Sequence, residues 1–176
     1  MDTRTRFVVI ASTALLCLGA LFSPASSAGD GKVSIRYAGS GWDTGIQGFL
    51  EKVSLTTTSA QGTFGDSTLT ITTEWTANPG VQCPAGFVGK FSLVYSAAVS
   101  TFPDGSQLFG VSQSGWICAT AQGVYFGEVT GNYVNGTGRF KGATGTYVSK
   151  FDGAYLEPHL NFRSVEGTVE GMLDPR

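Results

Sequence analysis

The chain predicts an all-β fold, a single antiparallel eight-stranded β-barrel. Three observations predict it. After residue 30, apolar and polar residues alternate with period two in run after run, and the runs are rich in Thr, Val, Tyr and Phe. Turn-forming clusters separate them, the strongest being Asn78-Pro79-Gly80 and Pro103-Asp104-Gly105. No helical period of useful length follows the first 28 residues, while 25 glycines are available to relieve crowding where strands bend. Many long strands, even in number, favour closure, because a barrel leaves no exposed sheet edge.

The N-terminus is expected to be a processing segment. Arg4 and Arg6 precede an apolar run, Phe7 to Phe22, and the small residues Ser23-Pro-Ala-Ser-Ser-Ala28 follow. Ser26 and Ala28 stand where a signal peptidase reads, so residues 1–28 are assigned as a secretory signal peptide and 29–176 as the barrel domain. The apolar run is shorter than the roughly 20 residues of a spanning helix, and no stable membrane insertion is expected after cleavage. The expected location is secreted or periplasmic.

Strands are expected at 32–38, 49–57, 67–76, 90–101, 106–117, 123–134, 144–152 and 160–173. Between the first two, Gly39-Ser-Gly-Trp-Asp-Thr-Gly45 reads as a loop of turn formers carrying Trp42, which could bind a sugar or lipid or cap a barrel end. The hydroxyl-rich stretch Ser54 to Ser59 reads as an exposed strand face. Leu69, Ile71, Thr73 and Trp75 share one face of the third strand; Phe91, Leu93, Tyr95, Ala97 and Val99 share one face of the fourth. In the fifth, Phe109, Val111, Gln113 and Ile117 are expected to point inward. In the sixth, either Val124, Phe126 and Glu128 or Tyr125, Val129 and Tyr133 point inward. The second choice is favoured, because charged residues are seldom fully buried. Under the first, Glu128 would be an interior carboxylate needing a partner such as Arg139 or a tyrosine hydroxyl. Val165, Gly167, Val169 and Gly171 form one face of the last strand.

Cys17 lies in the leader, so Cys83 and Cys118 remain as an even pair in an exported chain and are expected to form a disulfide. In the chain-entropy treatment that bridge contributes about 3–4 kcal/mol. The formal net charge is −2 and the charges are scattered, so no basic stripe points to nucleic acid. His159 is the single histidine, which leaves no protein metal site of the usual kind and no Ser–His–Asp arrangement. Gly136-Thr-Gly138 is followed by no Gly-Lys-Ser/Thr and is not a phosphate loop. Asn135-Gly136-Thr137 matches a glycosylation sequon, and reads better as a turn that Asn-Gly favours.

Between Gly131 and Gly153 the chain carries Gly136, Gly138, Phe140, Ala143 and Gly145 in the pattern G-x-G-x-F-x-x-A-x-G. The pattern resembles that of small eight-stranded barrels of the allene oxide cyclase and dirigent type. The resemblance implies a central cavity that holds a reactive lipid or phenoxy-type intermediate while it cyclises or couples, acting through confinement and orientation. The catalytic acids of dirigent-like proteins map onto no position here. Phe140 is expected to plug one barrel end, Gly138 to take a positive φ, and Ala143 to be small where backbone passes close.

Acid–base residues are sparse, so the favoured function is an exported barrel that binds a small apolar or amphipathic ligand without catalysis. Its candidate cavity residues are Trp75, Tyr95, Gln113, Glu128 and Arg139. No metal or organic cofactor and no hydrolase activity are expected. One alternative is a cofactor-independent isomerase or cyclase in the same cavity. Another is glycan or protein recognition through loops 39–45 and 78–89.

Overall fold

A computed structural model describes residues 31–44, 51–157 and 161–174. The expected leader, residues 1–28, and His159 lie outside the described residues. The strands are β1 (Lys32–Thr44), β2 (Glu51–Gly62), β3 (Ser67–Ala77), β4 (Phe87–Thr101), β5 (Gln107–Thr120), β6 (Val124–Gly136), β7 (Gly145–Glu157) and β8 (Phe162–Leu173). Each pairs antiparallel with the next, and β8 pairs with β1, so the sheet closes into the expected eight-stranded barrel.

The turns after β2, β4 and β6 lie at one end, and Phe140 fills it. Phe140 is buried in a short 3-10 turn, Gly138–Phe140, with ring centroids 5.2 Å from Phe64 and 4.8 Å from Phe102. Ala143 is buried beside it. Gly138 holds φ +55°, and a Cβ there would collide with the Ser106 hydroxyl. The plug and the positive φ are as the sequence predicts. Arg139 closes this end from outside, donating from Nη2 to Phe64 O at 2.8 Å and lying 4.6 Å from the Phe102 ring.

At the other end, Cys83 and Cys118 are bonded, with Cα atoms 5.7 Å apart. The bridge ties the 78–86 turn to the outer face of β5. It is compatible with an extracellular or periplasmic location.

Several boundaries and faces differ from expectation, each for a physical reason. Residues 39–44 are not a loop. They continue β1, paired with β2 on one side and, through Trp42, with β8 on the other. Gly41 is an inward position, where a Cβ would lie 2.7 Å from Thr56 Oγ1 and 3.2 Å from Arg163 Nη2. Its smallness makes room for a guanidinium, and no turn is needed. The Ser54–Ser59 stretch is only half exposed, because Ser54 and Thr56 are buried inside against polar partners, and Thr58 hydrogen-bonds to Leu69 O.

Register shifts interrupt the ladders at five places, and two of them decide which residues of β4 and β5 face inward. Glu74 pairs with Tyr95 but Trp75 with Leu93, which leaves Val94 as an extra residue. Ser112 pairs with Gly131 and Ser114 with Thr130, which leaves Gln113 extra. One extra residue moves every later side chain to the opposite face. The interior therefore receives Phe91 and Leu93 before the first bulge, and Ser96, Ala98 and Ser100 after it. In β5 it receives Leu108, Gly110 and Ser112, then Ile117 and Ala119. Reading Ile117's face back through Gln113 without a bulge placed Phe109 and Val111 inside; they face outward.

Candidate functional site

The barrel interior holds a cavity of about 110 Å³. One wall is apolar, built by Leu69, Ile71 and Trp75 from β3, Phe91 from β4, Ile117 from β5 and Val129 from β6. The opposite wall carries the charges. Asp43 from β1 and Arg163 from β8 form an ion pair at 3.0 Å, with side chains only 1% and 10% exposed. Asp43 Oδ1 also accepts from Ser54 Oγ at 2.6 Å, and Tyr155 donates to Oδ2. Arg163 donates further to Tyr125 Oη and to Thr56 Oγ1, both at 2.8 Å. Tyr125 in turn donates to Ser164 O at 2.5 Å. A buried ion pair is tolerated only when its remaining donors and lone pairs find partners, and this one is ringed by hydroxyls that supply them.

Farther in, Tyr37 Oη and Ser149 Oγ are 2.9 Å apart, and Tyr147 Oη and Ser112 Oγ 2.7 Å apart. Tyr133 completes the set of inward phenols. The rings fit because glycines stand opposite them. A Cβ at Gly167 would lie 2.7 Å from Tyr37 Oη, and one at Gly131 2.6 Å from the Tyr147 ring. The glycine-rich strands thus trade side chains on one strand for tyrosine rings lying across from the next.

This environment sets the protonation states. Burial raises the pKa of Tyr37 to about 12, a shift that its hydrogen bond to Ser149 only partly offsets. Burial likewise raises Tyr125, Tyr133 and Tyr147. Tyr155 is pushed up by burial first and then by the charge of Asp43 beside it. For Arg163 burial acts downward, but Tyr125 and Asp43 outweigh it and the pKa rises. Near neutral pH the interior therefore presents protonated phenols and a charged Arg163 guanidinium. A general base works best with a pKa near the operating pH, and none of these shifted groups moves toward that range.

Of the sequence-predicted residues, Trp75 lines the cavity, buried, with Nε1 donating to Thr73 Oγ1 at 2.9 Å. The other four do not. Tyr95 follows the β4 bulge and is 44% exposed. Gln113 is the extra residue of the β5 bulge and is exposed. Glu128 lies on the outer face of β6, 3.7 Å from Lys150 Nζ, since Tyr125, Val129 and Tyr133 take the inner face. Arg139 sits over Phe102 and Phe140 outside the plugged end, 3.5 Å from Asp104. Sequence reasoning passed over Asp43, Arg163 and Tyr155. A signal for two of them existed. Asp43 continues the parity of Val33, Ile35 and Tyr37, and Arg163 that of Val165 and Val169.

Among the described residues, no group of three or more His, Cys, Asp or Glu side chains could hold a metal ion. No protein-family model, curated protein or solved structure matches the chain. Of the likeness to allene oxide cyclase and dirigent barrels, the closed eight-stranded antiparallel barrel stands as observed.

Proposed function

We propose that this protein is an exported barrel that holds a small, largely apolar ligand in its interior without transforming it. The cavity carries this reading: about 110 Å³, lined by an apolar wall and by a polar one whose charges are paired. A ligand there gains affinity from apolar burial at about 25 cal/mol per Å². A cavity of roughly 150 Å³ accepts benzene, so in this smaller space the natural occupant, or the part of it that enters, is of the order of four non-hydrogen atoms. Export rests on the leader-like residues 1–28 and agrees with the disulfide.

The test is a titration of the folded protein with isobutane and cyclobutane, followed by intrinsic tryptophan fluorescence and ligand-observed NMR. Saturable binding is expected, and Ala98→Leu, which fills the cavity from its wall, should abolish it. Absence of saturable binding to the native protein overturns the reading.

A cofactor-independent isomerase or cyclase of the allene oxide cyclase or dirigent type is the second reading. One observation favours it: Asp43, Arg163, Tyr125 and Tyr155 converge in the same interior. Its mark would be conversion of an unsaturated epoxide or coupling of a phenolic radical, lost in Asp43→Asn and unaffected by Glu128→Gln.

A further inference from the structure

We propose that the barrel end away from the Phe140 plug docks on the surface of an uncharged phospholipid bilayer, reversibly and without spanning it. The inference does not depend on what the cavity holds.

Exposed apolar side chains gather at that end. Nine large hydrophobic residues are exposed among the described residues, and five of them, Trp42, Leu55, Val88, Val124 and Leu156, lie near the strand ends on this side. Their exposure runs from 47% at Leu55 to 70% at Val88. The other four divide between mid-barrel and the plugged end. Single exposed apolar residues are ordinary, whereas a concentration of them marks a surface that something covers. Trp42 pairs across the ladder with Leu55 on one side and Phe162 on the other, and the Trp42 and Phe162 rings lie 4.5 Å apart. Val124 opens β6, and Leu55, the deepest of the five, is four residues into β2. At about 3.3 Å per residue and a strand tilt of about 40°, the band is about 10 Å deep. An apolar face bound at a bilayer surface is buried to about 5–10 Å.

The arrangement selects the partner. In a closed barrel of eight sequentially paired strands, β2 stands opposite β6 and β4 opposite β8. Leu55 and Val124 are thus on opposite sides of the barrel, as are Val88 and Phe162. A protein seated on one side covers one of each pair and leaves the other in water. A fluid surface into which the end sinks covers both. The charges agree. The turns 78–86 and 120–123 at this end hold no Asp, Glu, Lys or Arg, whereas the turns at the plugged end carry Asp66, Asp104, Arg139 and Lys141. The neighbouring strand ends carry Glu51, Lys52, Lys90 and Glu157, two of each sign, so no basic cluster favours anionic lipid. Tryptophan, an apolar ring with one polar edge, concentrates at membrane–water interfaces, and Trp42 stands at that level.

The experiment mixes the exported protein with phosphatidylcholine vesicles, with and without phosphatidylglycerol, and separates bound protein by flotation. The protein should float with the neutral vesicles, and no more strongly with the anionic ones. Lipids brominated near the headgroup end of their acyl chains should quench its tryptophan fluorescence, and Trp42→Phe should remove most of that quenching. Trp42→Ser combined with Leu156→Ser should weaken vesicle binding about tenfold or more, because binding scales with the apolar area buried. Val134→Ser combined with Met172→Ser, at comparably exposed positions of the plugged end, should leave it unchanged. All four side chains lie on the surface, and circular dichroism that matches the wild type in both variants shows that the readout is docking and not folding. No flotation, flotation with anionic vesicles only, or the same binding in both double variants overturns the docking. Self-association that Trp42→Ser with Leu156→Ser abolishes, without vesicle binding by the wild type, also overturns it and assigns this end to a second copy of the chain. The cavity reading is tested separately, by hydrocarbon titration in the absence of lipid.

Discussion

Alkaline pH should unfold this barrel between pH 10 and about 12, and the inward phenols are the reason. In the unfolded chain a tyrosine gives up its proton near its ordinary value of 10.0, whereas burial holds Tyr37 protonated up to about 12. Between those values the unfolded state binds fewer protons than the folded one, so stability falls as pH rises. The contribution is fully present below pH 10 and is lost progressively as pH climbs toward the folded value. Two pH units at about 1.36 kcal/mol each amount to about 2.7 kcal/mol from Tyr37 alone. Tyr125, Tyr133, Tyr147 and Tyr155 are raised as well, each chiefly by burial, so they add in the same direction. A domain of this size has about 5–15 kcal/mol of stability to lose. The assay follows phenolate absorbance and far-ultraviolet circular dichroism through one pH titration. The buried phenols should ionise in a single cooperative step that coincides with loss of the β signal. Tyr37→Phe should lose less stability across this window than the wild type, by up to about 2–3 kcal/mol. Gradual ionisation of all the tyrosines near pH 10, with the β signal intact, would refute the reasoning.

Three further outcomes follow from the packing. Asp43→Ala strands the Arg163 guanidinium in the interior and should cost about 3–5 kcal/mol in urea unfolding; adding Arg163→Met should recover much of it. A near-neutral single substitution would mean that the pair does not hold the wall together. Phe140→Ala should cost roughly 3–5 kcal/mol through the cavity it opens, and Gly138→Val more than about 1 kcal/mol through its positive φ and the Ser106 contact. Small effects at both sites would show that the 137–144 turn is not a plug. Reduction of Cys83–Cys118 should add two hydrogens to the intact mass and lower stability by about 3–4 kcal/mol, whereas ready thiol labelling of the untreated native protein would exclude the bridge.

Local pattern carried much of this protein. Period-two alternation is a property of a single strand, so the eight strands and the inward row Tyr125, Val129 and Tyr133 could be read from residues alone. The Gly138 turn and the Phe140 plug were legible because positive φ and a lone apolar residue among glycines are local signals. The disulfide needed only the count of cysteines. The site itself was decided elsewhere. A bulge depends on how two strands meet, so nothing within β4 or β5 announces that Val94 or Gln113 is the extra residue, and the faces of Tyr95, Ser96 and Leu108 were open until the strands paired. Asp43 and Arg163 stand 120 residues apart and meet only where β8 closes the barrel onto β1. Two residues that look like ordinary surface charges in the sequence become the interior's ion pair because closure turns both inward, and because Gly41, Thr56 and Ser54 leave the space and the hydroxyls that make their burial tolerable.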